Sequence, residues 1–181
     1  VNEFSRLYPL ETLSPEPHCV EIEAGPDERE ALARRFGLVA VDALAAEAGL
    51  CRSGDAATAV GRLRAKVTQS CVASAEPVEA EVEEDFRVDF RPLPADHRPE
   101  EEIELGEGEL DVTFYEGGAI DLGEAVAQTL LLGLDPYPRS PAAEAALRAA
   151  GVKSEEEARA EASPFAALAA LKGKVAKERG K

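Results

Sequence analysis

The middle of the chain alternates. In residues 60–73, VGRLRAKVTQSCVA, Leu63, Ala65, Val67 and Cys71 hold the odd positions, and Arg62, Arg64, Lys66 and Thr68 the even ones. That is the period of a half-buried strand. After a short Glu-Pro turn, VEAEVEEDFRVDF repeats it. Val78, Val82, Phe86, Val88 and Phe90 take one face, and Glu79, Glu81, Glu83, Asp85, Arg87 and Asp89 the other. Two such strands joined by a short turn predict a long antiparallel hairpin with one wet face. The first strand offers cations on that face and the second carboxylates, so cross-strand ion pairs are expected, and the acid run reads as a solvated sheet face.

Elsewhere the pattern is helical or broken. The first 20 residues hold three prolines and no clear period, which predicts an extended arm with a short strand near its start. GPDEREALARRFG predicts a helix over 28–36, with Asp27 as N-cap and Gly37 as its stop. Residues 38–52 are open to both readings, because alanine favours helix and alternation is weak. Residues 92–109, PLPADHRPEEEIELGEGE, predict a mobile acidic loop. LDVTFYEGG predicts another strand, ending in a Gly117–Gly118 turn.

Residues 121–134 predict the central helix, with an Asp121–Glu124 capping box. Leu122, Val126, Thr129 and Leu130 share one face, but Leu131 and Leu132 project close to the polar side. The last turn is apolar nearly all round, so it must be buried on every side or docked on something. Pro136 stops the helix, and Pro138 and Pro141 keep the following chain extended. Short helices are predicted at 142–150 and 155–162, and Ser163-Pro164-Phe165 opens another, with Phe165 and Leu168 on its apolar stripe. The fold class expected is α+β: an antiparallel β-sheet of hairpins with a packed central helix and short C-terminal helices. Residues 1–171 are expected to form one domain, followed by a basic tail over 172–181.

Composition narrows the function. The chain has 181 residues, 36 acids against 20 Lys and Arg, and a formal net charge of −16. Such a balance argues against a body that wraps nucleic acid by phosphate neutralisation and favours basic partners. The tail reverses the sign: Lys172, Lys174, Lys177, Arg179 and Lys181 face one carboxylate, Glu178. These five are candidate RNA contacts, and an ordinary frayed terminus is the plain alternative. No stretch approaches a membrane span, and no secretory signal pattern opens the chain. Three scattered cysteines, Cys19, Cys51 and Cys71, predict free thiols and a cytoplasmic location.

Little in the sequence points to catalysis. His18 and Cys19 are neighbours in an extended segment and point to opposite sides, so they form no local pair. His97 lacks ligand spacing. No phosphate-cradling glycine pattern, G-x-S-x-G elbow or H-E-x-x-H is present. Cys71, on the apolar face of its strand, is expected to be a buried, inert thiol. No cofactor and no metal are expected.

Three segments carry a resemblance: QSCVASAEPVEAEVEEDFRVDFRP at 69–92, AIDLGEAVAQTLLLGLDPYPR at 119–139 and SPFAALAALKGK at 163–174. In this order they resemble the YceD-like family, the large ribosomal RNA subunit accumulation proteins, and the LDPYPR form resembles its alphaproteobacterial branch. The resemblance favours strand for 38–52. Many relatives carry a second Cys where this chain has Ser74, and another pair beyond the proline motif where residues 140–150 have none, so no metal site is carried over. The resemblance implies a non-enzymatic factor supporting 23S rRNA accumulation and large-subunit assembly, bound to a large-subunit ribosomal protein, a pre-ribosomal particle or rRNA. Candidate partner-binding residues are Glu124, Leu131, Leu132, Asp135, Pro136, Tyr137, Pro138, Arg139, Phe165, Leu168 and Lys172. The alternative is direct RNA binding through the basic tail.

Overall fold

The computed structural model describes residues 2–93 and 112–153. Its centre is a five-stranded sheet in the order β2-β3-β4-β5-β6, formed by His18–Glu23, Ala40–Ser53, Ala56–Ser70, Pro77–Pro92 and Val112–Tyr115. A two-stranded ribbon pairs β1 (Leu7–Pro9) with β7 (Ala119–Asp121). Three α-helices accompany them: α1 (Pro26–Phe36), α2 (Leu122–Gly133) and α3 (Ala143–Ala149). The α+β class is as expected.

The long hairpin forms as its alternation predicts. Leu63, Ala65 and Val67 of β4 and Val82, Phe86 and Phe90 of β5 are buried. The even residues of β4 meet the acids of β5 in register, Arg62 opposite Asp85, Arg64 opposite Glu83 and Lys66 opposite Glu81. Residues 38–52 resolve to strand. A register shift between Val41 and Ala43 breaks the period, so Val41 points inward from an odd position and Leu44, Ala46, Ala48 and Leu50 from even ones.

Other elements differ from expectation. The N-terminal arm yields not only the short β1 but also β2, which pairs antiparallel with β3. Helix α1 starts at Pro26 with Gly25 as its N-cap, rather than capped by Asp27. Proline suits the first helical position, where no N–H bond is lost, and Glu28 Oε2 accepts from the Gly25 N–H at 2.8 Å. Gly37, at φ 67°, ends the helix in the left-handed region, as read. Strand β6 runs parallel to β5 instead of closing a hairpin. The 92–112 connection is long enough for that reversal, since a parallel neighbour needs a crossover of about a dozen residues or more. The expected loop at 92–109 falls almost wholly outside the described residues, and the helices expected at 155–162 and from Ser163 lie outside them.

The two helices cover one face of the sheet. Leu32 of α1 and Leu122, Val126 and Leu130 of α2 are fully buried against Leu44, Leu63 and Phe90. Residues 122, 126 and 130 recur every fourth position, so their burial anchors α2 along its length, each contributing about 1.5–3 kcal/mol. Gly123 lets this packing close. A Cβ there would stand 2.6 Å from the Phe4 carbonyl oxygen and 2.9 Å from the Arg6 nitrogen, so the N-terminal arm lies directly on the helix.

Candidate functional site

Asp121 is the hub at the start of α2. Its Oδ1 accepts from the Glu124 N–H at 3.2 Å and the Arg6 N–H at 2.8 Å; its Oδ2 accepts from Ser5 Oγ at 2.7 Å and Asn2 Nδ2 at 2.9 Å. Burial pushes the carboxyl pKa up, but these donors outweigh it and hold it below the usual aspartate value. Only half of the expected capping box forms, because the Glu124 side chain goes elsewhere. Its two oxygens meet Arg35 of α1 at 2.7 and 2.8 Å, and Gln128 donates to one of them at 3.0 Å. Arg35 also reaches Glu3 at 3.0 Å. Glu124 is therefore engaged in fastening α1 to α2, and the Arg35 hydrogen bond holds its pKa low.

At the other end of α2 the apolar last turn divides. Leu130 is fully buried, whereas Leu131 is 46% and Leu132 87% exposed. Among the described residues nothing buries that turn on every side. Asp135 then folds its side chain over the next turn, accepting from the Tyr137 N–H at 2.9 Å, while its carbonyl accepts from Gln69 Nε2 at 2.9 Å. Pro138 is buried and its carbonyl accepts from the Val72 N–H at 3.0 Å. Pro136, Tyr137 and Arg139 are exposed, Tyr137 by 71%. The DPYPR segment is thus pinned to the β4–β5 turn through Pro138 and presents Tyr137 and Arg139 outward, beside Leu131 and Leu132 in sequence. Phe165, Leu168, Lys172, Lys174, Lys177, Arg179 and Lys181 lie outside the described residues.

That same turn holds an arrangement that sequence reasoning missed. Cys71 is buried, and its Sγ accepts from the Ser140 N–H at 3.3 Å and the Ser74 N–H at 3.4 Å. Ser140 Oγ donates to Glu76 Oε2 at 2.7 Å and sits 3.0 Å from Ser74 Oγ. The Ser140 N–H, first among these donors, pulls the thiol pKa down to about 6. Cys71 is buried as expected, but its surroundings favour the thiolate rather than an inert thiol. The Cys-x-x-Ser-x-Glu spacing was visible in the sequence; Ser140, nearly seventy residues on, carried no local signal.

Among the described residues nothing covers the outer, polar face of the sheet. Arg62 meets Asp85 at 2.6 and 3.0 Å, Arg64 meets Glu83 at 2.8 Å and Lys66 meets Glu81 at 2.8 Å. These contacts lower the pKa of Asp85 and Glu83 and raise that of the three cations. A depression on this face runs between Glu21 and Glu23 of β2 and Arg62 and Arg64 of β4, floored by Ala45. Among the described residues, no group of three or more His, Cys, Asp or Glu is placed to hold a metal ion, and no helix is long and apolar enough to cross a membrane.

What fold and surface define is an α+β protein with one helix-covered sheet face, one open charged face, and an exposed leucine–tyrosine end beside the proline motif. The chain belongs to the family described as large ribosomal RNA subunit accumulation protein YceD, whose model matches residues 59–172. The match takes in β4 from residue 59, β5, α2 and the DPYPR segment, and the family's description ties the chain to accumulation of large-subunit ribosomal RNA. Neither a comparison with curated proteins nor one with solved structures found a match.

Proposed function

We propose that this chain is a non-enzymatic, cytoplasmic factor of large-subunit assembly that works by offering surface to a basic ribosomal protein or to a pre-ribosomal particle. Residues 1–171 act as one unit in this reading, and 172–181 as its tail. One observation carries it: within a chain of this family, the helix that is anchored through Leu122, Val126 and Leu130 ends in exposed Leu131 and Leu132, followed a few residues later in sequence by outward Tyr137 and Arg139. Apolar side chains left in water beside a rigid proline segment suit a partner. The acidic body, at −16, favours a basic one and steers its approach. Phe165, Leu168 and Lys172 would extend the contact.

The test is the sedimentation profile of ribosomal particles from cells lacking the protein. Large-subunit precursors should accumulate, and the wild-type chain should restore mature subunits while a Leu131→Asp/Leu132→Asp chain should not. An unchanged profile overturns the proposal. A second reading, direct RNA binding through Lys172, Lys174, Lys177, Arg179 and Lys181, is favoured by the sign reversal in the tail. It requires an rRNA affinity that falls steeply with salt and disappears when 172–181 is removed.

A further inference from the structure

We infer that the open edge of β2 takes up an extended, lysine- or arginine-bearing segment of a partner as an additional strand. The inference rests on the proposed function for the partner's basic character, and on the sheet for everything else.

Among the described residues strand β2 ends the sheet order, with β3 on one side only. Two hydrogen bonds fix which of its residues face outward. The Ala24 N–H donates to the Leu44 carbonyl at 2.9 Å, so Ala24 faces β3. The Glu23 carbonyl accepts from Arg6 Nη2 at 2.8 Å, so Glu23 faces away from β3. Alternation along an antiparallel strand then directs the N–H and C=O groups of Cys19 and Glu21 to the open side as well. These groups make up a short template for strand addition.

The charges on this edge differ from those beside it. Along β4 and β5 the acids Glu81, Glu83 and Asp85 each have a cation within 3 Å. Glu21 instead stands directly opposite Glu47 of β3, in a position that exchanges no backbone bonds and so brings side chains closest. Like charges so placed are unfavourable. Arg62, opposite Glu47 on its other side, turns to Asp85 and Glu83. Among the described residues Glu21, Glu23 and Glu47 make no ion pair, and all three are exposed. A basic strand laid along β2 would set its cations beside these carboxylates while its backbone meets Cys19 and Glu21. Arg6, paired with Glu28, already occupies the Glu23 carbonyl, so the open template is confined to the backbone groups of Cys19 and Glu21. A second copy of β2 is the wrong occupant, because it would bring Glu21 and Glu23 against their own kind.

Cys19, exposed on this edge, reports occupancy, and Cys51, half-buried on the interior strand β3 two positions beyond Cys19's partner Gly49, serves as the internal control. The probe is a nine-residue peptide alternating Lys and Val, with a second peptide of the same sequence and charge whose lysine backbone nitrogens are methylated, because the lysines set opposite Glu21 are the residues whose N–H groups face β2. At a peptide concentration ten times its dissociation constant, the Lys-Val peptide should slow maleimide labelling of Cys19 by about tenfold. It should also protect the Cys19 and Glu21 amides from deuterium exchange and leave Cys51 labelling unchanged. The methylated peptide should protect neither amide, and a Glu21→Lys/Glu23→Lys chain with an unchanged circular dichroism spectrum should respond to neither peptide. Equal protection by both peptides, or none by the Lys-Val peptide, overturns the inference. Protection of Cys19 in the unliganded full chain that disappears on removing 172–181 would assign the edge to the chain's own tail, and overturns it too. These assays need no ribosome, so an unchanged sedimentation profile defeats the proposed function without touching them. Conversely, a Glu21→Lys/Glu23→Lys chain that still restores mature subunits defeats only the strand addition.

Discussion

Replacing Asp121 should be the most damaging single change at the helix start, and the structure allows the cost to be worked out. Asp121→Ala removes the N-cap of α2, a loss of about 1 kcal/mol. It also strips partners from the Arg6 N–H, Ser5 Oγ and Asn2 Nδ2. The first two are part-buried, and bonds to a charged acceptor are each worth about 1.5–3 kcal/mol. Because the four bonds share one carboxylate their losses do not add, and about 2–4 kcal/mol in all is expected. Asp121→Asn should cost less, about 1 kcal/mol. Its Oδ1 still accepts from the two backbone donors, the Ser5 hydroxyl can turn to accept from the new amide, and only Asn2 Nδ2 loses its acceptor. The chain has no tryptophan, so urea unfolding is followed by far-ultraviolet circular dichroism.

The pH dependence supplies a second check on the same residue. The folded Asp121 pKa is depressed, so its charged form adds stability that is complete above the unfolded value of about 3.9 and lost as pH falls through the lower folded value. The gap between wild type and Asp121→Asn should therefore be widest at neutral pH and close as pH drops below about 4. An Asn variant as damaging as the Ala variant, or a gap that does not depend on pH, refutes the hub.

Gly123→Ala tests the close approach of the N-terminal arm. Alanine gains about 1 kcal/mol of helix propensity, but its Cβ would meet backbone atoms of Phe4 and Arg6 at 2.6–3.0 Å, which cannot swing aside as a side chain can. The net effect should be a loss of about 1–3 kcal/mol in urea unfolding, and a neutral or stabilising result would mean the arm is not seated there. For Cys71, a folded pKa near 6 against an ordinary value of 9.0 makes stability rise with pH between those two values. That rise should be smaller in Cys71→Ala across a urea series from pH 6 to 9, and equal slopes would contradict the thiolate. Arg64→Ala, at a solvent-exposed rung of the ion-pair ladder, should leave the urea midpoint unchanged within error. Leu132→Asp should likewise leave stability intact while lowering recovery of large-subunit particles with the purified protein.

How much of this was legible depended on range. The β4–β5 hairpin was readable because both strands alternate strictly and their charges are complementary. Helix α2 was readable because its stop is enforced by Pro136 rather than by context. Strand β3 was not, for two local reasons: alanine stands on both of its faces, inward at Ala46 and Ala48 and outward at Ala45, which blurs the alternation, and the bulge at Asp42 shifts the period midway. Strand β2 was missed, and β6 was read as a strand but not as a parallel neighbour of β5, because the partners of both lie outside any sequence window. The candidate site divides the same way. The outward Tyr137 and Arg139 follow from the proline spacing. The engagement of Glu124 by Arg35, and of Cys71 by Ser140, depends on residues more than sixty positions away.

The way charge is distributed bears directly on how such a chain could work. Ion pairs across β4 and β5 are exposed and worth little to stability, yet they neutralise most of the acid run that dominates the sequence. The negative potential that remains to act on a partner is therefore set less by the most acidic stretch than by carboxylates that form no ion pair among the described residues, such as Glu21, Glu23 and Glu47 on β2 and β3. A partner reading this protein electrostatically would be drawn to the opposite edge of the sheet from β6, not to the VEAEVEEDF strand. This separates two contributions to binding. Charge at the β2 edge should govern the association rate and its salt dependence, whereas Leu131, Leu132 and Tyr137, which carry apolar area but no charge, should govern how long the complex lasts. Charge-reversal at Glu21 and Glu23 should slow association and flatten its salt dependence, and polar substitution at Leu131 and Leu132 should speed dissociation with little change in salt dependence. A pattern with these roles exchanged would mean that the two surfaces do not divide the work in this way.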